Sequence, residues 1–87
     1  MAVNFPAVEA WDFDREEVSF PAQVDGTSIR CAISWEALQD NFEGNGVDPL
    51  DCFRAHRRPI EHKAERLIGA RRFEADGSIL IRSQDRS

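Results

Sequence analysis

The architecture of this chain follows from one stretch, residues 18–33, which reads Val18-Ser19-Phe20-Pro21-Ala22-Gln23-Val24-Asp25-Gly26-Thr27-Ser28-Ile29-Arg30-Cys31-Ala32-Ile33. Apolar and polar residues alternate on both sides of Asp25-Gly26, as they do in strands that bury one face. Asp-Gly tolerates the positive φ angles of a type I′ turn, the two-residue turn that joins the strands of a β-hairpin. The stretch therefore predicts a hairpin over residues 17–33.

A two-residue turn also sets the register of the predicted hairpin. It places six apolar side chains on one face, in the cross-strand pairs Ala22–Ile29, Phe20–Cys31 and Val18–Ile33. The opposite face carries Ser19, Pro21, Gln23, Ser28, Arg30 and Ala32. We expect helices to cover the apolar face and to leave the opposite face open.

Two helical segments are predicted after the hairpin, at about 35–42 and 49–71. Ser34 is a favourable N-cap for the first segment. Asp48-Pro49 begins the second, with Asp as N-cap and Pro at the first helical position, where its missing N–H has no helical partner to lose. Pro59 interrupts the helical spacing of apolar residues in this segment. It predicts either a kinked helix or two nearly continuous helices.

Strands are also expected near both ends of the chain. Asp76-Gly77 is a second turn signal, and the β-prone run after it predicts a strand over 78–83 that joins the hairpin's sheet. Val3-Asn4-Phe5 is a candidate edge strand that Pro6 would end. Residues 84–87 are expected to fray.

The 87 residues are expected to form a single domain, 1–87, because a chain of this length supports one modest core. The predicted fold class is α+β in two layers. An antiparallel sheet of three to four strands, the hairpin 17–33 plus the C-terminal strand 78–83, is covered on one face by the helices at 35–42 and 49–71.

The composition favours a cytoplasmic protein. Two cysteines without a dense framework fit reduced thiols. No apolar run approaches the ~20 residues of a membrane span, and residues 1–10 lack the basic and apolar regions of a signal peptide. The chain carries no Gly-rich phosphate loop, G-x-S-x-G or H-E-x-x-H motif, so no cofactor is expected.

Charge is divided unevenly along the chain. The net charge is −5, but residues 1–53 carry eleven acids against two arginines, whereas 54–72 carry seven basic residues against two glutamates. The first segment is thus strongly acidic and the second basic. Such asymmetry is the feature of this sequence that indicates a partner, or an internal contact between the two segments.

Several short motifs resemble those of a family of small bacterial proteins, the domain of unknown function 1488. They lie in order between Trp11 and Ile81. They are Val18-x-Phe20-x-Ala22, Asp25-Gly26, Cys31-Ala32-Ile33-Ser34, Glu36-Ala37-Leu38, Asp48-Pro49-Leu50, Phe53-Arg54-Ala55, Arg57, Ile60-Glu61 and Ala64. The resemblance implies a compact cytoplasmic α+β protein. It implies no activity and carries over no catalytic residue.

Cys52 and His56 are the closest approach to a reactive pair, because residues four apart share one face of a helix. They would supply half of a zinc site at most, since Cys31 is assigned to the core and His62 to the opposite side. A nucleophilic Cys52 with His56 as base would also need a pocket and an oxyanion site. We expect a buried thiol beside a solvated histidine.

Two further clusters are weaker candidates. Gly44-Asn45-Gly46 precedes a helix and could cradle an anion, but Asp48 and Asp51 would repel it. The acids at 12–17 could form a paired-carboxylate site, yet no histidine or nucleophile adjoins them. We expect a connector in the first case and a solvated acidic edge in the second.

The basic segment 54–72 is the main candidate for binding. Arg54, Arg57, Arg58 and Arg66 are its candidate partner-binding residues. The favoured function is a non-catalytic protein-interaction or regulatory module that binds a protein partner or a second copy of itself. The alternative is nucleic-acid binding through this segment. An acidic domain without an aromatic platform on its open face disfavours the alternative.

Overall fold

A computed structural model describes residues 2–84 of the chain. Five strands and three helices follow one another as β1 (Val3–Asn4), β2 (Ala10–Asp12), β3 (Glu17–Val24), β4 (Thr27–Ser34), α1 (Trp35–Asn41), α2 (Pro49–Ala55), α3 (Arg57–Gly69) and β5 (Ile79–Ile81). All five strands belong to one sheet. The predicted α+β class is therefore confirmed. Of the stretch expected to fray, residues 85–87 lie outside the described part.

The β3–β4 hairpin has the predicted register. Ala22 lies opposite Ile29, Phe20 opposite Cys31, and Val18 opposite Ile33. Asp25 and Gly26 have φ angles of 50° and 86°, which are those of a type I′ turn. The turn residues and the alternation of side chains were sufficient to predict this pairing because both are local properties of the chain.

The sheet is mixed, whereas the sequence predicted an antiparallel one. β5 pairs parallel to β4, with Cys31 opposite Ile79 and Ile33 opposite Ile81. Parallel neighbours need a crossover connection, and the helical segment between β4 and β5 provides it. α3 packs against β5 and returns the chain to the end of the sheet where it can run beside β4 in the same direction.

The other edge of the sheet holds two short strands instead of one. β1 pairs with the end of β3 at Gln23 and Val24, and β2 pairs with its beginning at residues 17–19. The candidate strand at Val3-Asn4-Phe5 is thus present as Val3–Asn4, while β2 was not expected. β5 lies within the predicted strand 78–83, so β2 is the addition that brings the sheet to five strands, against the three to four predicted.

The second predicted helix is two helices. α2 ends at Ala55, and the His56 N–H donates to the carbonyls of Cys52 and Phe53, which closes its last turn. α3 begins at Arg57, so that Pro59 lies in its first turn. In an unbroken helix, the proline ring would meet the carbonyl of Ala55 and remove its hydrogen bond, so the chain breaks before that point.

All three helices pack on the apolar face of the sheet. Fifteen buried residues form one cluster there, which includes Val18, Phe20 and Ile33 from the hairpin and Phe53 and Ile60 from the helices. The opposite face of the sheet carries no helix among residues 2–84. Over the same residues, no helix is both long enough and apolar enough to cross a membrane.

Candidate functional site

Two of the four candidate arginines are bound to a carboxylate of the same chain. The Glu9 Oε2 atom accepts from Arg54 Nε at 2.8 Å, and Glu9 Oε1 accepts from Arg57 Nη2 at 2.6 Å. Arg57 is further held by Glu61 at 3.6 Å, and its guanidinium lies 5.1 Å from the centre of the Phe53 ring. Each oxygen of Glu9 thus has its own arginine.

This contact neutralises part of the basic segment. The Glu9 side chain is only 8% exposed, although it lies in the chain segment before β2. The hydrogen bonds from Arg54 and then Arg57 hold the pKa of Glu9 below its usual value, and the bond to Glu9 raises the pKa of Arg57. Part of the acidic segment thus pairs with part of the basic segment within the molecule. We call the contact of Glu9 with Arg54 and Arg57, which joins the N-terminal segment to the α2–α3 junction, the Glu9 clamp.

The remaining two candidates lie elsewhere. Arg58 and Arg66 are exposed on the outer face of α3, two helical turns apart, and neither makes an ion pair with a residue of 2–84. The structure therefore divides the predicted set into a clamp, Arg54 with Arg57, and an exposed pair, Arg58 with Arg66. The sequence did not single out Glu9, because eleven acids precede the basic segment and spacing alone does not select one.

The side chains of Cys52 and His56 have separate partners. The Cys52 thiol is buried and donates to the carbonyl of Phe42 at 3.5 Å, and burial raises its pKa. The His56 ring packs against the Phe42 ring with centroids 5.5 Å apart. Cys31 is also buried, and desolvation raises its pKa to about 12. Both thiols are therefore held in the form that is not nucleophilic.

The connector and the acidic residues have structural contacts of their own. The Asp48 carboxylate accepts from the N–H groups of Leu50 and Asp51, so the chain's own side chain occupies the N-terminus of α2. A Cβ atom on Gly44 would lie 3.0 Å from the backbone of Leu38, so Gly44 permits a close approach of two segments. Within residues 2–84, no group of three or more His, Cys, Asp or Glu side chains is arranged to hold a metal ion.

The acids at 12–17 are not all solvated, which differs from the expected acidic edge. Asp14 and Glu16 are exposed, but the Glu17 side chain is 8% exposed. Glu17 and Asp12 both pair with Arg30 on the open face of the sheet, at 2.9 and 3.4 Å. The ion pairs with Arg30 take the place of the hydration that the Asp12 and Glu17 carboxylates lose when the strands pair.

Three aromatic side chains form a surface that was not predicted from the sequence. Trp11, Phe13 and Trp35 form a row of rings: Phe13 meets Trp11 edge-on at 6.2 Å between centroids, and Trp11 meets Trp35 edge-on at 6.3 Å. Both tryptophans are half-buried against the core, whereas Phe13 is 84% exposed. We call these three residues the aromatic surface. The i, i+2 spacing of Trp11 and Phe13 was its one signal in the sequence.

Acidic side chains surround the aromatic surface. Asp14 and Glu16 are exposed in the turn that follows Phe13, and Glu36 is exposed beside Trp35 at the start of α1. The backbone joins these parts, because the Trp35 N–H donates to the carbonyl of Glu16 at 2.9 Å. The exposed Phe13 ring therefore has mainly acidic neighbours, with Arg15 exposed between Asp14 and Glu16, and it packs on Trp11, which packs on Trp35.

The fold defines this chain as a small two-layer α+β protein with a five-stranded mixed sheet. A family profile described as a protein of unknown function, DUF1488, matches residues 3–81. The chain therefore belongs to the DUF1488 family, as its motifs indicated.

Relatives of known sequence and structure agree with this assignment. The chain is 44% identical to the uncharacterized protein YrdB of Escherichia coli (strain K12) over 81 residues, which are 92% of this chain and 95% of the relative. It is 43% identical, with the same coverage, to the protein of that name from Shigella flexneri. The crystal structure of a DUF1488 protein of unknown function from Shewanella loihica PV-4 superposes with a TM-score of 0.77 at 29% identity, covering 91% of this chain and 90% of that one.

Proposed function

We propose that this protein is a non-catalytic interaction module that binds a partner protein through the aromatic surface. One observation carries the proposal: Phe13 exposes 84% of its surface, and its ring packs edge-on against the half-buried Trp11, which in turn packs against Trp35. A phenylalanine side chain has only two rotatable bonds, so it buries a large apolar area at a small cost in side-chain entropy. Aromatic residues of this kind dominate the energy of protein interfaces.

The surroundings of Phe13 favour a partner of particular chemistry. The exposed carboxylates of Asp14, Glu16 and Glu36 outnumber the one exposed cation among them, Arg15, so this surface would attract basic residues and repel a phosphate backbone. We therefore propose that the partner presents an apolar pocket with a basic rim. Buried free thiols support a cytoplasmic setting for this interaction, since reducing compartments keep such thiols unpaired.

The same contacts make catalysis and nucleic-acid binding weaker proposals. Both thiols are buried with raised pKa values, and Asp48 fills the helix N-terminus that was the candidate anion site. The Glu9 clamp neutralises Arg54 and Arg57, which a nucleic-acid interface on α3 would need. Of the four candidate arginines this leaves Arg58 and Arg66, a small basic patch on an acidic protein.

Affinity purification of the full chain from a bacterial host tests the proposal. We expect a protein that is retained by the wild type, lost from Phe13→Ser, and retained by the matched control Val47→Ser, since Val47 is exposed outside the aromatic surface. The purified pair should then associate in solution, more weakly at high salt. Sedimentation of the chain alone shows whether the partner is a second copy.

Two results would overturn the proposal. One is that Phe13→Ser retains the same proteins as the wild type at the same affinity. The other is that only nucleic acid co-purifies and that Arg58→Glu with Arg66→Glu releases it. Reversal of Arg54 or Arg57 is not a clean test, because it would also break the Glu9 clamp.

A further inference from the structure

The outer edge of β5 borders a surface groove of about 300 Å³. Three apolar side chains, Leu67 from α3, Phe73 from the connection and Leu80 from β5, line it together with Arg71, Arg72, Arg82 and Glu74. Leu67 belongs to the helical layer and Leu80 points to the open face, so the groove wraps around the edge of the sheet. We call it the edge groove.

The backbone of β5 is open on the side of the edge groove. β5 is the last strand of the sheet and pairs with β4 alone among the described strands. The Glu74 N–H donates to the carbonyl of Ser78 just before the strand, and within residues 2–84 no backbone hydrogen bond reaches 79–81 from that side. An unpaired strand edge is a template for another extended chain.

The groove offers space and apolar surface for one side chain. Phe73 is 41% exposed, and Leu67 and Leu80 are half-buried. Its volume is at the lower end of the range for ligand pockets and fits a single large apolar residue. With one exposed aromatic ring, the groove lacks the series of stacking platforms that single-stranded nucleic acids use.

The rim is positive in a protein whose net charge is −5. Arg71 and Arg72 are exposed, and neither forms an ion pair with a residue of 2–84. A third arginine, Arg82, is paired with Glu74 at 2.6 Å. Charge complementarity therefore favours an acidic occupant.

The end of α3 retains an arginine where glycine is the usual residue. The Arg72 N–H donates to the carbonyl of Leu67, and the Arg71 N–H to that of Ile68, which is the Schellman arrangement. Arg71 lies at its left-handed position, with φ 57°. Its side chain is thus kept at the rim of the groove at a cost in backbone strain, which is a pattern often seen at binding sites.

We propose that the edge groove binds an extended acidic segment of a partner protein, which adds to the sheet as a strand beside β5. One apolar side chain of the segment enters between Leu67, Phe73 and Leu80, and flanking carboxylates pair with Arg71 and Arg72. This site is separate from the aromatic surface, so it stands or falls independently of the proposed function.

A fluorescent heptapeptide, acetyl-Asp-Glu-Leu-Val-Leu-Asp-Glu-amide, tests the proposal by anisotropy with the full chain. We expect saturable binding that weakens about tenfold or more with Arg71→Gly or Arg72→Ser, because each removes one ion pair at the rim. Arg71→Gly should at the same time raise the melting temperature, which excludes unfolding as the cause. Arg58→Ser, Arg66→Ser and Phe13→Ser should leave the affinity within twofold.

Backbone pairing and charge are tested with altered probes. Methylation of alternate peptide nitrogens should weaken binding about tenfold or more, because it removes strand hydrogen bonds. The heptapeptide with Lys in place of its four acids should not bind. The proposal is overturned if the acidic peptide does not bind at millimolar protein, if the basic or methylated peptide binds equally well, or if a single-stranded oligonucleotide binds the groove more tightly than the peptide.

Discussion

Glu9 and Arg57, 48 positions apart in the sequence, are joined by a hydrogen bond of 2.6 Å between Glu9 Oε1 and Arg57 Nη2. The bond ties the segment before β2 to the first residue of α3. Arg54 completes the arrangement from the last turn of α2. A contact between the acidic and basic parts of the chain therefore joins the N-terminal segment to the α2–α3 junction.

Removal of the Glu9 charge should destabilise the fold. We expect Glu9→Gln to lower the free energy of unfolding by about 1–3 kcal/mol, because it weakens two charge-assisted hydrogen bonds to a shielded carboxylate. Urea unfolding followed by tryptophan fluorescence measures this. Glu65→Gln is the matched control, since Glu65 is exposed on α3, and it should change the free energy by less than about 0.5 kcal/mol. Equal effects of the two substitutions would contradict the clamp.

The Glu9 contribution should depend on pH. The pKa of Glu9 is lowered in the folded state, chiefly by Arg54 and then Arg57, so its stabilisation is present above the unfolded pKa, near 4.5, and is lost as pH falls through the folded value. The stability difference between wild type and Glu9→Gln should therefore be constant near neutrality and shrink below pH 4.5. A difference that persists unchanged at pH 2 would mean that the carboxylate charge is not its source.

Gly26→Ala should destabilise the hairpin by about 1 kcal/mol, because an alanine at φ 86° is strained. Gly26→Asn should cost less, since Asn tolerates positive φ. Gly69→Ala provides the control: Gly69 is helical, with open space where the alanine methyl group would lie, and the change should stabilise by up to about 1 kcal/mol. Thermal unfolding measures all three, and a neutral Gly26→Ala would exclude a type I′ turn.

Arg71→Gly should stabilise the protein by about 0.5–1 kcal/mol, because relief of the left-handed strain exceeds the entropy that glycine adds to the unfolded chain. Arg72→Gly is the contrasting change, because Arg72 does not have a positive φ and the same replacement should not stabilise. Chemical unfolding of both variants gives the comparison. Loss of stability in Arg71→Gly would show that its side-chain contacts outweigh the strain.

Both cysteines should resist modification by thiol reagents in the native state. A rise in the pKa of Cys31 from 9.0 to about 12 reduces its thiolate fraction at pH 8 about a thousandfold, and burial adds a steric barrier. We expect reaction with Ellman's reagent to follow global unfolding, with a rate that increases steeply in urea. Rapid modification of Cys52 in buffer would reopen the nucleophile hypothesis.

The predictable parts of this fold are those that neighbouring residues specify. Asp25-Gly26 and the alternation around it predicted the hairpin register, Ser34 and Asp48 predicted two helix starts, and Pro59 predicted an interruption. The break falls at His56, three residues earlier, because the proline ring acts on the carbonyl four residues before it. The parallel direction of β5 was not predictable in this way, since it depends on how the whole helical segment crosses the sheet.

The sequence by itself determined the α+β class, the face of the hairpin that is buried, and the division of charge. Turn geometry and side-chain periodicity act over a few residues, so they can be read along the chain. Only the tertiary structure decided that Glu9 pairs with Arg54 and Arg57, that the exposed Phe13 packs on Trp11 and Trp11 on Trp35, and that Arg71 and Arg72 lie beside an open strand edge. Each of these contacts depends on how distant segments pack. Before the chain folds, any of its many acids could pair with any of its arginines, and only the packing determines which pairs form.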